Sequence, residues 1–238
     1  MLAAEEILHW GFSEFGPRFA IVTSFQKEGM VLVDMAARMG SAVRVITLDT
    51  GRLPAETHAM IADVEARYGI AVERIAPDAG EVARMTEAHG MDLFRDQVVL
   101  RKLCCQVRKV RPLYTTVSRL LDTYAVGLRR GQGESREAVQ QKVFVDGKWK
   151  LSPLAFWTSA DVEDYTRRND VPVHPLYAQG YTSIGCAPCT RAVSSGEGER
   201  AGRWWWEVEG DKECGLHFTP EGKMVRELDV LLGDLVNA

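Results

Sequence analysis

The chain is poor in several things, and each scarcity excludes something. Its 238 residues include only five cysteines and five histidines, and the formal net charge at pH 7 is −4. A chain of that charge has no bulk attraction for nucleic acid or an anionic membrane surface, so any basic patch must be local. No apolar run approaches the roughly 18 residues that a membrane-spanning helix requires. The N-terminal "MLAAEEILHWGF" places acids where a secretory leader would carry lysines. A cytoplasmic location is therefore expected. Neither an internal repeat nor a second globular unit is visible. What is present, 46% hydrophobic and 26% charged residues, suits a soluble chain with a substantial core.

Short β-branched runs alternate with longer helical stretches from the start. "FAIVTS" (19–24), "AVRVITLDTG" (42–51) and "IAVERIA" (70–76) read as strands, and "KEGMVLVDMAARMG" (27–40) and "PAETHAMIADVEARYG" (54–69) as helices. The second helix has proline in its first turn and glycine at its end, as helix boundaries require. This alternation predicts an α/β fold, a parallel sheet flanked by helices. Residues 105–121 have helical spacing, which sets Cys104 and Cys105 at or near a helix N-terminus. "TYAVGLRRGQGESR" (123–136) reads as a strand entering a glycine- and arginine-rich loop. "VFVDGKWKL" (143–151) reads as a hairpin turning on Asp-Gly, and "SADVEDYTRRND" (159–170) as a short helix capped by serine. "SSGEGERAG" is small, polar and expected to be mobile, and the last twenty residues have a helical pattern. The expected organisation is one α/β domain over residues 1–195 and a mobile C-terminal arm over 196–238.

The five cysteines are unevenly placed: Cys104 and Cys105 adjacent, Cys186 and Cys189 in "GCAPCT", and Cys214 alone in "KECGLH". In a reducing compartment such residues are ligands or nucleophiles more often than disulfides. Four of them equal the ligand count of a zinc site or of a 4Fe-4S cluster. Adjacent residues on one helix diverge by about 100°. That favours a cluster, whose separate iron corners accept divergent thiolates; structural zinc and two unrelated buried pairs remain the alternatives. Cys214 stands near Lys212 and three residues before His217, and cationic neighbours lower a thiol pKa. It reads as a nucleophile on a moving segment, against the plainer reading of a small buried hydrophobe. "TSFQKEG" and "LDTGR" follow the first two strands, at the sheet edge where helix N-termini bind phosphate or sulfate.

Taken together, "TSFQKEGMVLVDM", "TLDTGRLPAETH", "CCQVRKVRPL", "GLRRGQGESR", "GCAPCTRAV", "GERAGRWWWE" and "KECGLH" resemble the thioredoxin-dependent assimilatory adenylyl-sulfate reductases of the PAPS reductase family. The motifs keep the family's order and span roughly residues 20–217. The resemblance implies an adenine nucleotide alpha hydrolase-like fold and one 4Fe-4S cluster on Cys104, Cys105, Cys186 and Cys189. It implies Cys214 as nucleophile with His217 in the same motif, and Lys109 between cluster and substrate. It places Ser24, Phe25 and Gln26 in a phosphate-side loop, and Leu48, Asp49, Thr50, Gly51 and Arg52 in a second nucleotide loop. Gly127 falls near the adenosine, and Arg136, Arg200 and Arg203 match basic substrate contacts.

The activity so implied is reduction of adenosine 5'-phosphosulfate (APS) to sulfite and AMP, in sulfate assimilation and cysteine biosynthesis. The partners implied are thioredoxin or glutaredoxin as reductant, with no nucleic acid and no membrane; a homo-oligomer is compatible with the sequence. Two alternatives stand beside it. One is a reductase of 3'-phosphoadenosine 5'-phosphosulfate (PAPS), or of both nucleotides. The other is a nucleotide-binding iron-sulfur sensor without turnover, which leaves Cys214 no task.

Overall fold

The computed structural model describes residues 2–40, 44–133 and 136–207. Six strands form one sheet in the order β3-β2-β1-β4-β6-β5, where β1 is Phe19–Val22, β2 Val45–Leu48, β3 Val72–Ile75, β4 Thr123–Ala125, β5 Lys142–Val145 and β6 Lys148–Leu151. All neighbours are parallel except the β5–β6 pair. Apolar runs such as "FAIV" and "VITL" are buried because helices cover both faces of a parallel sheet. β5 and β6 form the expected hairpin. Asp146 and Gly147 both have positive φ, 49° and 74°, the turn whose twist matches the flanking strands.

Helices α1 (Ala4–Phe15), α2 (Lys27–Arg38), α3 (Ala55–Tyr68) and α4 (Ala79–His89) precede a long helical run. The run consists of α5 (Val98–Cys105), one π-helical turn (Gln106–Val110) and α6 (Arg111–Leu120). This corrects one expectation. The tandem cysteines end α5, in the interior of a helical run that starts at Val98, and are not at a helix N-terminus. The π turn has a local cause: Pro112 has no N–H to give to the carbonyl of Arg108, and its ring crowds that carbonyl, so the turn before it opens. A smaller correction concerns α7 (Ser159–Arg168), whose N-cap is Thr158: its hydroxyl accepts from the Asp161 N–H while the Asp161 carboxylate accepts from the Thr158 N–H.

The main core lies between the sheet, α1, α2, α3 and α7. A separate cluster joins Met85, Leu93, Phe94, Leu103 and Val107 to the four cysteines and Trp204. Chain order reverses between β1 and β4: β1 leads outward through α2 to β2, whereas β4 lies on its other side. The carboxyl ends of β1 and β4 therefore open a crevice, the place where ligands bind in such sheets. The described part of the polar run after Arg191 makes local contacts. Glu197 pairs with Arg191 and accepts from the Ser194 N–H, and Arg203 forms a bridge with Thr190. The rest of the expected arm from Val208 onward, Cys214 and His217 included, lies outside the described residues.

Candidate active site

At the crevice a cavity of about 270 Å³ is lined by Ser24 and Gln26 after β1, Leu48 at the end of β2 and Thr50 after it, and Gly127 after β4. Lys109, Arg136, Lys150, Arg200 and Arg203 supply its cationic side chains. A second cavity of about 520 Å³ adjoins it and shares Gln26, Gln132, Arg136 and Arg200. The loop after β1 is held by Thr23 Oγ1, which accepts from the Phe25 N–H at 2.9 Å, and by φ of 58° at Phe25. The Phe25 side chain is buried in the core and does not line the cavity; this residue shapes the loop. Gly127 is required by close approach, because a Cβ there would lie 2.8 Å from Glu28 Cβ and 2.9 Å from the Gly29 nitrogen.

The second nucleotide loop divides its labour. Asp49 Oδ1 accepts from the Gly51 N–H at 3.0 Å, fixing the turn, and neither residue lines the cavity. Arg52 faces the other way. It donates to Asp92 and to the Met91 carbonyl and lies over the Phe94 ring, in the wall of the cysteine cavity. Thr50 joins the two regions: its side chain lies 3.2 Å from Cys186 Sγ, and its carbonyl accepts from Arg108 Nη1 at 2.8 Å.

Cys104, Cys105, Cys186 and Cys189 are all buried free thiols lining one cavity with Arg101, Arg108, Lys109 and Trp204. Burial pushes the Cys189 thiol up to about 12, with Cys186 adding to the effect. Burial also raises Cys104, against the pull of Arg108. Cys186 differs. Burial would raise it, but Lys109, the Thr50 hydrogen bond and Arg203 outweigh that and leave it lowered. Lys109 and Cys186 both line the nucleotide cavity as well, so they form the wall common to the two spaces.

Residues 203–207 close this wall. Arg203 is buried, donates to Ser183 Oγ and the Ile184 carbonyl, and occupies the space that a side chain at Gly185 would take, where a Cβ would lie 2.4 Å from Nη2. The Trp204 backbone has φ of 42°, a conformation that costs a non-glycine residue of order 1–3 kcal/mol and persists only when its surroundings over-determine it. They do so here. Its N–H donates to the Cys189 carbonyl at 3.2 Å, and its buried ring has the guanidinium groups of Arg101 (4.4 Å) and Arg203 (4.7 Å) against it. Arg101, Glu207, Trp204 and Lys150 of the nucleotide cavity were missed by the sequence reading of the site. The basic cluster around the tandem cysteines was the available signal for Arg101, and the tryptophan triplet for Trp204.

Comparison with known proteins agrees with the motif reading. The model of the phosphoadenosine phosphosulfate reductase domain matches residues 18–192. An adenosine 5'-phosphosulfate reductase of Burkholderia cepacia is 44% identical over 199 residues, covering 83% of this chain and 79% of that protein. One from Allochromatium vinosum is also 44% identical, over 197 residues, 82% of this chain and 77% of that one. Among solved structures, the phosphoadenylyl-sulfate (PAPS) reductase of Candida auris superposes with a TM-score of 0.67 at 27% identity, over 79% of this chain and 89% of that one. An FMN adenylyltransferase of Candida glabrata, 14% identical with a TM-score of 0.56 over 98% and 80%, shares the fold alone, in keeping with the adenine nucleotide alpha hydrolase-like architecture. The chain belongs to the phosphoadenosine phosphosulfate reductase domain family, and its bacterial relatives named above are adenosine 5'-phosphosulfate reductases, oxidoreductases acting on a sulfur group.

Proposed function

We propose that this chain reduces APS to sulfite and AMP in sulfate assimilation, with thioredoxin or glutaredoxin as electron donor and Cys214 as nucleophile. The observation that carries the reading is the shared wall: Lys109 and Cys186 belong at once to the cationic nucleotide cavity and to the four-cysteine cavity. Arg136, Arg200 and Arg203 suit two-point binding of phosphate or sulfate oxygens, and Lys109 acts as a point charge. The names of the bacterial relatives favour APS over its 3'-phosphorylated analogue.

The residues fit a 4Fe-4S group held by Cys104, Cys105, Cys186 and Cys189. Four buried thiols line one cavity. Trp204 Nε1 and Arg108 Nε, on residues of the same cavity, are buried without a hydrogen-bond acceptor, as suits a wall facing a sulfur-rich anion. Bound there, the cluster would supply a fixed anionic partner for Lys109 and the surrounding arginines.

In the first step the Cys214 thiolate attacks the sulfate sulfur. The bond from that sulfur to the bridging oxygen breaks, AMP leaves with the electron pair, and Cys214 becomes an S-sulfocysteine. Lys109, Arg200 and Arg203 offset the negative charge that gathers on the sulfuryl group and the departing phosphate. A reductant thiolate then attacks Cys214 sulfur and sulfite departs with the sulfur–sulfur bonding pair. The second reductant thiol resolves the mixed disulfide, so two thiols are oxidised for each sulfate reduced to sulfite.

The test is anaerobic turnover with thioredoxin and either APS or PAPS, scoring sulfite and nucleotide together. Equal amounts of sulfite and AMP from APS, with Cys214→Ser inactive, are the expected result. Turnover of PAPS alone would transfer the reading to the 3'-phosphorylated substrate, and turnover of neither by iron-loaded protein would overturn it.

A further inference from the structure

We propose that the buried Arg101–Glu207 ion pair positions the segment carrying Cys214, by rooting it on the helix that carries Cys104 and Cys105. Arg101 Nε donates to Glu207 Oε1 at 2.6 Å, and the two side chains are only 1% and 5% exposed. The proposal rests on Cys214 being the nucleophile.

A buried ion pair is a poor adhesive, because desolvation consumes much of its Coulombic gain and a well-packed apolar pair often holds a fold equally well. Adhesion is already supplied here. Trp204 is fully buried, and Trp206 packs on Phe94 at 5.9 Å between ring centroids. What the pair adds is a tie at the end of the segment: the Arg101 guanidinium donates a charge-assisted hydrogen bond to Glu207 Oε1, while Glu207 Oε2 is buried without a hydrogen-bond partner. The five residues from Arg203 to Glu207 are thus held at both ends. Arg203 lies in the wall of the nucleotide cavity, and Glu207 is fixed to the cysteine helix, with the left-handed Trp204 turning the chain between them.

Cys214 follows seven residues after Glu207, a reach of at most about 25 Å. Released from Glu207, the same thiol would hang from Trp206, still packed on Phe94, by eight residues, with a reach of about 29 Å and more directions of approach. Looser positioning lowers the rate of an attack that depends on alignment, without weakening nucleotide binding.

The decisive variant replaces both partners, Arg101→Met with Glu207→Met, since an apolar pair leaves no buried charge unpaired. Glu207→Gln serves as the single-site comparison. Iron content, thermal unfolding and AMP affinity report fold and site, and the pre-steady-state rate of sulfur-label transfer from APS onto Cys214 reports positioning. The double variant is expected to keep fold and AMP affinity, with labelling slowed ten- to a hundredfold and KM changed less than threefold; Glu207→Gln, which leaves Arg101 in the wall of the four-cysteine cavity, is expected to keep its iron and to slow in the same direction. Labelling at the wild-type rate by a folded double variant would make the pair merely structural and overturn the proposal. Wild-type protein that takes up no label would instead refute the nucleophile reading beneath it.

Discussion

Lys109 interacts with the Cys186 sulfur from within the wall that separates the nucleotide crevice from the four-cysteine cavity. Its charge favours the thiolate on one side and is available to a phosphosulfate on the other. Replacing it by alanine should therefore lower kcat about 10²- to 10³-fold, the usual loss when a preorganised electrostatic contact to a transition state is removed. Iron content and unfolding midpoint should stay near wild type. Unchanged turnover by Lys109→Ala would remove its electrostatic role.

Lys150 stands beside Tyr124 on the strand pair β4–β6 and lines the nucleotide cavity with Arg136. Burial, reinforced by repulsion from Arg136, pushes its ammonium group down to about 8. The protonated form attracts a nucleotide phosphate, so AMP affinity should fall as pH rises through 8. Calorimetric titrations at pH 7 and pH 9 check this: wild type should weaken across the interval, and Lys150→Met should bind weakly and equally at both.

His174 is buried beneath α3. Its Nδ1 accepts from the Leu176 N–H at 3.3 Å, so Nε2 carries the proton and donates to Thr57 Oγ1 at 2.9 Å. Burial holds its pKa below the ordinary 6.5, with Glu56 acting in the opposite sense. Between the folded and unfolded pKa values the unfolded chain binds more protons, so stability rises with pH across that window and is lost as pH falls below about 6.5. Urea unfolding at pH 7.5 and pH 5.5 should show this slope for wild type and a shallower one for His174→Gln.

Gly127 has no room for a side chain, its Cβ position lying under 3 Å from Glu28 and Gly29. The neighbouring Glu28 is fixed by Arg129 at 2.7 Å, so the loop cannot easily yield. Gly127→Ala should lose about 1–3 kcal/mol of stability, the usual range for overpacking, and at least tenfold in AMP affinity. Chemical denaturation and equilibrium binding measure the two separately, and wild-type values for both would contradict the account of this close approach.

Much of the fold was legible because its signals are local. "FAIV" and "VITL" announce buried parallel strands wherever they stand, and Asp146-Gly147 specifies a hairpin turn by its own backbone preference. The cysteine count, likewise local, pointed to one shared cavity, and the four thiols do line one. The start of the cysteine helix was missed because "VVLRKL" carries neither a capping residue nor a proline, and Gln97 caps it with no side-chain hydrogen bond. The π turn was missed because the opening caused by Pro112 lies upstream of the proline itself. Arg101 and Glu207 are 106 residues apart, and only packing around Trp204 brings them together. The side-chain direction of Phe25 was likewise invisible: the motif places it in the phosphate-side loop, whereas a positive φ turns it into the core.

The most direct test of the covalent mechanism omits the reductant. Anaerobic, iron-loaded protein is mixed with sulfur-labelled APS, desalted, and then given thioredoxin. The account predicts that wild-type protein retains about one label per chain, that Cys214→Ser retains none, and that thioredoxin releases the label as sulfite. Iron-loaded wild-type protein that binds AMP but retains no label would contradict it.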